Sequence, residues 1–467
     1  MKVIADLHFH SKYSRAVSPQ MVLPEIAKWA KIKGIDLVTT ADFTHPLWFR
    51  ELRAGLEEVG PGVFRLREGK EGKEGEEGRK KPLFLLVTEL ASIYSQGGKL
   101  RRIHTLVFAP NFAVVEKINT ELGRRGVKLM ADGRPVTGLP VRDLAELVLS
   151  ISGDCLIVPA HLWTPWFGTL GDLGGFGSLG EAYGDLAKNI YAIETGHSSD
   201  PRMNWRVSEL DSRAILSFSD GHSPSKMGRE ATVFEVEKIS YKEIREAVID
   251  YGKGKEASYG QEVGLGEKET NPKIAYTIEF YPEEGKYHYT GHQKCQVRQS
   301  PEETKKLGET CPVCGKHLTV GVMQRVEELA DRIVETKVEA DENGVRWISL
   351  ISPTGQTGRP PYVTIVPLIE ILAESLNTSV SSQKAVFEYK KLVETLGGEF
   401  RVLLAAKIEE IARISGERVA EGIERVRKGK IRVEPGCDGV FGTVKIWPDQ
   451  GNQGDQGNQG KEQMSLF

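Results

Sequence analysis

The sequence has no run of about 18 apolar residues, the minimum that a membrane-spanning helix needs. Its amino terminus, MKVIADLHFH, places charged and imidazole side chains where a secretory signal would have an apolar core. We therefore expect a soluble, cytoplasmic protein. Cysteine is scarce as well: five unevenly spaced residues in 467 argue against the disulfide framework of a small secreted domain.

The chain also has little net charge. Its 62 Lys and Arg residues nearly balance 65 Asp and Glu residues, for a formal charge of -3. No overall field draws such a protein to nucleic acid, so any DNA contact must come from local basic surface. A chain of this length with 39 % hydrophobic residues has enough apolar material for two or three domains.

From residue 1 to about 250, short apolar runs alternate with helical patterns, which predicts a β/α barrel. In nearly every run a polar, metal-capable residue stands at or just beyond the predicted carboxyl end of the strand, the rim at which barrel enzymes place their chemistry. The stretch 67–81 interrupts the pattern with Gly, Glu and Lys, and we expect it to be a solvated loop.

Nine side chains at this predicted rim could bind metal ions. His8 and His10 should face the same side of a strand because strand side chains alternate with a period of two. An HxH pair alone is weak evidence, but six of the ten histidines fall at the rim in the company of carboxylates. The nine candidates are His8, His10, Asp42, His45, Glu89, His104, His161, Asp220 and His222.

Imidazole and carboxylate ligands together suit zinc or manganese, with magnesium as a further candidate. Two such ions about 3.5–4 Å apart can activate a water and hold both oxygens of a phosphodiester displacement in line. We therefore predict two or three divalent ions and phosphoester hydrolysis. The ligands assigned to catalysis are Asp220, Glu89, His8, His10 and His222.

The motifs DLHFHS, VPAH and SDGH, with the ligands between them, resemble the polymerase and histidinol phosphatase (PHP) superfamily over residues 1 to about 235. The resemblance implies a distorted seven-stranded β/α barrel with a trinuclear site. It also implies that Glu89 bridges two ions and that His104 and His161 hold the third. The superfamily's adjacent Asp-His pair is spread here from Asp42 to His45, so His45 departs from its pattern.

A second constellation pairs an HxxC with a CPVCGK turn fifteen residues later. Two short knuckles of this kind supply four tetrahedral ligands, which predicts one structural zinc ion. The predicted ligands are His292, Cys295, Cys311 and Cys314. His288 could replace His292, and His317 is a poorer substitute. A closed site of this type contributes folding energy rather than catalysis.

The barrel, the zinc module and the segment ISGERVAEGIERVRKGKIRVEPGCDGVFGTVKI together resemble the endonuclease Q family of archaeal-type DNA repair enzymes. This resemblance implies an enzyme of the prokaryotic nucleoid that nicks DNA 5′ of uracil, hypoxanthine and xanthine and at abasic sites. Two alternatives remain. A PHP-type small-molecule phosphoesterase would have no use for the zinc module, and a non-catalytic DNA-binding scaffold would not keep at least eight of nine ligands.

A loop rich in aromatic residues and glycine follows His161. A flipped base could stack on one of its rings while the carbonyl created by deamination accepts a backbone N–H. A packed barrel loop would show the same composition. The base-pocket candidates are Trp163, Trp166, Phe167 and Phe176.

We expect four parts: a catalytic barrel over 1–250, a zinc module over 285–320, a mostly helical region over 321–447 and a flexible tail over 448–467. Within the helical region, 401–432 has nine basic and five acidic residues. It also contains half of a helix-hairpin-helix motif. Either a DNA contact or a solvated amphipathic helix would produce that pattern.

The tail contains DQGNQG twice and ends in QMSLF. Gln463, Leu466 and Phe467 resemble a truncated clamp-interacting peptide, which indicates a sliding clamp (PCNA) as partner. A frayed end is the alternative. Disordered segments commonly become ordered only when they bind.

Overall fold

The structure is a computed structural model that describes residues 1–67, 81–252, 271–351 and 359–447. Most of the predicted loop at 67–81, and the whole tail with its QMSLF end, lie outside the described residues. Across the described ranges, no helix combines the length and the apolar character that crossing a membrane requires.

The amino-terminal half alternates strands and helices, as the sequence predicts. Its strands are β1 (Lys2–Asp6), β2 (Leu37–Thr39), β3 (Leu56–Gly60), β4 (Val63–Leu66), β5 (Leu83–Gln96), β6 (Lys99–Ala109), β7 (Val136–Thr137), β8 (Leu156–Pro159), β9 (Ala192–Glu194), β10 (Ala214–Leu216) and β11 (Ala231–Glu235). Its helices are α1 (Leu23–Lys33), α2 (Pro46–Gly55), α3 (Phe112–Arg124), α4 (Val141–Ile151), α5 (Leu179–Tyr183), α6 (Pro201–Asn204) and α7 (Tyr241–Gly252).

The carboxyl-terminal half mixes short strands with a run of helices. Its strands are β12 (Lys273–Phe280), β13 (Thr290–His292), β14 (Val297–Gln299), β15 (Glu335–Ala340), β16 (Arg346–Ile351), β17 (Tyr362–Ile365), β18 (Arg432–Glu434) and β19 (Thr443–Lys445). Its helices are α8 (Pro301–Leu307), α9 (Val322–Leu329), α10 (Leu368–Ser375), α11 (Gln383–Leu396), α12 (Glu399–Leu404), α13 (Ile408–Ser415) and α14 (Glu417–Arg427).

One mixed sheet of thirteen strands dominates the described residues, in the order β15-β16-β17-β12-β11-β1-β2-β5-β4-β3, with β6, β7 and β8 joined to it through β5 and β6. The strands β1, β2 and β5 are parallel neighbours, whereas β11 pairs antiparallel with β1. The strands β9 and β10 form a separate parallel pair. Along β1 the side chains alternate: Val3, Ala5 and Leu7 belong to one buried apolar cluster, whereas Asp6 and His8 are the polar residues between and beyond them.

Further hydrogen bonds connect the β9–β10 pair to strands on both sides. The N–H of Leu162, just after β8, donates to the Glu194 carbonyl at 2.9 Å, and the N–H of Ser217, just after β10, donates to Thr232 Oγ1 of β11 at 2.9 Å. The predicted α/β class with a helical carboxyl-terminal region is therefore confirmed, whereas the PHP-type barrel stays a prediction.

The strands β5 and β6 depart from the predicted arrangement. They are long and antiparallel, with an unbroken register from Leu86↔Ala109 to Gln96↔Lys99. Gly97 and Gly98, both at positive φ, connect them in a two-residue turn of the kind that favours hairpins. Glu89 and His104 therefore lie inside strands rather than at strand ends.

The main sheet extends beyond the predicted barrel. The strand β12 pairs antiparallel with β11 and parallel with β17, although it lies between the predicted barrel (1–250) and the predicted zinc module (285–320) and was assigned to neither. The alternation in KIAYTIEF, apolar residues at every second position, is the strand signal behind this. The region 321–447 is likewise less helical than expected, because β15, β16 and β17 precede the five helices α10–α14.

Candidate metal centres

Three buried side-chain atoms converge on one point without a hydrogen-bond partner. They are His8 Nε2, His10 Nε2 and Asp220 Oδ1, and all lie within 4.8 Å of one another. Asp220 Oδ1 is 3.6 Å from His8 Nε2 and 3.3 Å from His10 Nε2. Burying three unsatisfied polar atoms together is costly unless something binds them. Two imidazole nitrogens and one carboxylate oxygen are donors that fit a divalent ion.

Glu89 lies between this first group and a second one. Its Oε2 is 3.4 Å from His10 Nε2, and its Oε1 is 2.8 Å from His104 Nδ1 and 3.2 Å from His161 Nε2. Glu89, His104 and His161 form the second group of atoms that could hold an ion. The Glu89 carboxylate therefore contacts both groups, and it could contribute an oxygen to an ion in either of them.

Two further carboxylates hold the histidines of the first group in place. Glu194 Oε1 is 2.8 Å from His8 Nδ1, and Glu194 Oε2 accepts the backbone N–H of His161 at 2.6 Å. Asp42 Oδ1 is 3.1 Å from His10 Nδ1. When Nδ1–H donates to a carboxylate, Nε2 is left as the free electron pair that a metal ion needs. The sequence analysis did not assign Glu194, although a carboxylate at the end of IYAIETG was the available signal.

Three of the nine predicted ligands lie outside both groups. One oxygen of Asp42 contacts His10. The other accepts hydrogen bonds from the Ser11 N–H (2.6 Å), the Ser11 hydroxyl (2.7 Å) and the Ser14 hydroxyl (2.9 Å). Asp42 therefore contacts the Nδ1 side of His10 and does not face the unsatisfied atoms of the first group. His45 begins helix α2 and stacks on Tyr13 with ring centroids 4.2 Å apart.

The third is His222, whose ring centroid lies 5.0 Å from that of His10. Its Nδ1–H donates to the Asp220 carbonyl at 2.8 Å, and about a third of its side chain is exposed. His222 is therefore at the solvent edge of the first group, and a role as ligand stays a prediction, as it does for His45.

The backbone at this site is locally strained. Asp42, His161 and Asp220 have φ values of 34°, 30° and 44°, in the left-handed region that non-glycine residues seldom adopt. Such conformations cost of the order of 1–3 kcal/mol each and collect at functional sites. Gly133 shows how close the packing is, because a Cβ there would lie 2.4 Å from Asp42 Oδ2.

Charge is balanced inside the site. Burial disfavours the charged forms, but the carboxylates of Glu194, Asp220 and Glu89 outweigh it and raise the pKa of His8 well above its usual value. Burial lowers the pKa of His104 to about 3 despite the nearby Glu89. The carboxylates thus pair with protonated histidine. Divalent ions would compete with protons for the histidine nitrogens and the carboxylate oxygens.

Arg134 contributes a fixed positive charge at the edge of the cluster. Its guanidinium NH1 donates to Glu89 Oε2 at 3.0 Å, and 23 % of its side chain is exposed. The loop that carries it offered no metal or phosphate motif in the sequence. Among the described residues, Arg134 is the one arginine or lysine within hydrogen-bonding distance of Glu89.

The predicted zinc ligands come together as a third group. One ligand atom from each of the four lies within 4.8 Å of the others: His292, Cys295, Cys311 and Cys314. Cys314 Sγ is 3.4 Å from His292 Nδ1. His292, rather than His288 or His317, therefore lies with the three cysteines. His288 is buried with Nδ1 3.1 Å from the Ser198 carbonyl, and His317 pairs with Glu309 at 3.2 Å.

The four base-pocket candidates divide into two pairs. Trp163 and Phe176 are 1 % exposed and belong to the core, and Trp163 Nε1 donates to Asn204 Oδ1 at 2.8 Å. Neither presents a face to a ligand. Phe167 is half-buried and stacks on His104 with ring centroids 4.1 Å apart, and Trp166 contacts Tyr287. A stacking role is therefore open to Phe167 and Trp166.

Several basic residues of 401–432 already have intramolecular partners. Arg427 is buried and donates to the carbonyls of Leu403, Val402, Ala406 and Asn343. The guanidinium of Arg418 lies 3.7 Å from the Trp447 ring centroid. Much of the basic excess therefore stabilises the helical region, and a DNA contact there stays a prediction.

The fold and its clusters define an α/β protein with a histidine–carboxylate site fit for divalent ions and a separate His/Cys knuckle. A family model described as the MJ0043 C-terminal domain matches residues 367–430. The uncharacterized protein MJ0043 of Methanocaldococcus jannaschii is 30 % identical over 292 residues. That match covers 62 % of this chain and 32 % of MJ0043, so the chain spans about a third of that relative's length.

Two solved structures match nearly the whole chain. The lesion-specific endonuclease Q of Pyrococcus furiosus is 31 % identical with a TM-score of 0.74, and 96 % of each chain is covered. Endonuclease Q in complex with a 27-mer duplex bearing an abasic lesion at its active site is 31 % identical with a TM-score of 0.76, covering 96 % of this chain and 97 % of that one. The chain belongs to the endonuclease Q family.

Proposed function

We propose that the protein is a metal-dependent DNA repair endonuclease. It hydrolyses the phosphodiester on the 5′ side of deaminated bases (uracil, hypoxanthine and xanthine) and cuts at abasic sites. The observation that carries this proposal is the convergence of the unsatisfied atoms of His8, His10 and Asp220 beside Glu89. The likeness to a lesion-specific endonuclease over 96 % of the chain supports DNA as the substrate.

The donor sets fit two ions, one held by His8, His10 and Asp220 and one by His104 and His161, with Glu89 between them. We infer zinc or manganese, with magnesium as a further candidate, and a third ion if His222 or His45 also binds. Divalent ions bound there would supply Lewis acidity and a nucleophile at neutral pH.

The chain's own side chains prepare this site. Glu194 and Asp42 accept from Nδ1 of His8 and His10, which fixes both rings and keeps each Nε2 free. Arg134 donates to Glu89 through one nitrogen, and its remaining donors at the exposed edge suit a DNA phosphate. Asp220 and His222 border the solvent-facing side, from which a phosphodiester would enter.

Selectivity for lesions belongs to the loop after His161. One face of the Phe167 ring stacks on His104. A base stacked on the opposite face would therefore lie beside the second group of ligands. A lesion's carbonyl could then accept a backbone N–H that the amino group of a normal base would clash with. We assign the ligands to a PHP-type catalytic domain over 1–250, and a structural role to the zinc module over 285–320.

The test is a panel of end-labelled duplexes that differ in one base: uracil, hypoxanthine, xanthine, an abasic site, and the matching normal base. With manganese, the protein should nick each damaged duplex on the 5′ side of the lesion and leave the normal duplex intact. Chelation should stop the reaction. Equal cutting of damaged and normal duplexes, or cleavage only of small phosphate monoesters, would overturn the proposal.

A further inference from the structure

A tight turn near the carboxyl end of the described chain presents an exposed aromatic ring. Cys437 and Val440 exchange two backbone hydrogen bonds of 3.1 and 2.9 Å around Asp438 and Gly439. Both central residues have positive φ (45° and 88°), the requirement of a two-residue hairpin turn. Phe441, directly after the turn, is 42 % exposed.

This turn is fixed to the zinc module. Asp438 accepts the Gln293 N–H at 2.6 Å and the Thr319 hydroxyl at 2.5 Å, and Gln293 stands between two of the zinc-module ligands. The Gly439 N–H donates to the Lys286 carbonyl at 3.0 Å. Gly442 follows Phe441, and a Cβ on Gly442 would come 2.2 Å from the Glu283 carbonyl. The backbone that follows Phe441 therefore packs directly against the backbone at Glu283.

The segment that holds the turn also contacts the metal centre's surroundings. Gly285 packs so closely on Ser198 that a Cβ would meet its hydroxyl at 2.1 Å, and His197 Nε2 lies 2.8 Å from the carbonyl of Ser219, which precedes Asp220. The contacts of Glu283, Gly285 and His197 therefore connect the segment that carries the ring to the residue before Asp220.

One cation, Lys286, lies beside the ring. Lys286 Nζ lies 4.6 Å from the centroid of Phe441. Burial and Arg229 lower the pKa of Lys286, and Asp220 opposes them. An aromatic ring next to a cation matches the chemistry of a base step with its flanking phosphate, the substrate that the proposed function gives to the neighbouring metal centre.

We propose that Phe441 is a wedge that enters the duplex beside the lesion and stacks in the place of the flipped nucleotide, while Lys286 pairs with a backbone phosphate. This inference rests on the proposed function and names how the enzyme opens a paired substrate. Apolar wedges that separate base steps are a general device of proteins that distort DNA. Phe441 replaces the stacking that the neighbouring bases lose when the nucleotide flips out. Cleavage of the phosphodiester remains with the metal centre.

The test compares one lesion in three contexts: uracil paired with adenine, uracil mispaired with guanine, and uracil in a single strand. Phe441→Ala should slow cleavage of the paired duplex by about tenfold or more, the mispaired duplex less, and the single strand little, because unstacking is already complete there. Phe441→Trp should restore most of the duplex activity. Phe387→Ala removes the other exposed phenylalanine of the described residues, 65 % exposed on α11, and should change nothing.

The outcomes separate the two proposals. If wild type cuts all three substrates and Phe441→Ala cuts the paired duplex equally well, or loses the same factor on all three, the wedge is overturned and the endonuclease stands. If wild type cuts none of them, the proposed function fails and the wedge with it. Because Phe441 is exposed, melting temperature and metal content should match wild type.

Discussion

The two candidate metal centres are built in opposite ways. The histidine–carboxylate cluster gathers its two ligand groups from residues 8 to 220, and the carboxylates of Glu194 and Asp42 contact Nδ1 of His8 and His10. The zinc module takes all four ligands from 292–314, and one of them, Cys314, is exposed. A large apolar core packs around the first site whether or not ions are bound. In the zinc module, a bound ion would itself take the structural role that apolar packing has at the first site. Removing a ligand should therefore abolish chemistry at one site and reduce stability at the other.

The largest effect should come from the exposed edge of the histidine–carboxylate cluster. Asp220→Ala removes an orphaned oxygen and a charge from the first group, so nicking of uracil-containing duplex should fall by more than about a hundredfold, beyond the loss typical of a supporting residue. The melting temperature and DNA affinity should change little. Gel assays at fixed manganese measure the rate. A variant that keeps more than a tenth of wild-type activity would remove Asp220 from the metal site.

A smaller loss should follow when a support is weakened. Glu194→Gln keeps an acceptor for His8 Nδ1–H but removes the charge that favours it, and changes of this kind cost about 10–100-fold in metal affinity or activity. Manganese titration of activity should show a higher half-saturating concentration. Glu342→Gln, an exposed glutamate remote from both centres, is the control. Unchanged titration curves for both variants would show that Glu194 is dispensable.

The zinc module should respond in stability and metal content. Cys311→Ser breaks the tetrahedral set, so the protein should lose one zinc equivalent and melt at a lower temperature. Cys437→Ser is the matched control, because Cys437 packs beside the module but is not in the ligand group. Elemental analysis decides the matter. If zinc content stays the same in Cys311→Ser, the module holds no zinc.

The smallest effect should come from the tail, whose structure lies outside the described residues. Deleting 461–467 should leave cleavage of free oligonucleotides unchanged, because every proposed ligand lies elsewhere. Loss should appear only when the sliding clamp is present, since tethering raises local concentration without new contacts at the lesion. Calorimetry with full-length protein, the truncation and Phe467→Ala measures the interaction. Equal clamp binding by all three would exclude QMSLF as a clamp peptide.

The contrast between the sites also explains what the sequence could predict. The zinc ligands are local, so their spacing alone identifies the group that the structure brings together. Six of the nine candidates named from predicted strand ends fall into the two groups, although Glu89 and His104 lie inside strands β5 and β6. Of the supporting residues, Glu194 had a signal at the end of the run IYAIETG that was not used, whereas Arg134 reaches the site only through the tertiary fold.

The errors in the fold have physical causes as well. The β5–β6 hairpin was missed because apolar runs were taken as separate parallel strands, although Gly97 and Gly98 permit a two-residue turn. The strand β12 was missed because it follows a polar, glycine-rich stretch whose composition hid its alternation. In the aromatic loop, no composition rule separates the core residue Trp163 from the half-buried Phe167.

The proposed activity depends on ions occupying the points where the unsatisfied atoms converge. Anomalous diffraction from crystals grown with manganese tests this most directly. We predict one peak within about 2.0–2.2 Å of His8 Nε2, His10 Nε2 and Asp220 Oδ1, and a second between Glu89, His104 and His161, at ordinary metal–ligand distances. Maps with no anomalous peak at either point, from protein that nicks damaged DNA under the same conditions, would contradict the account.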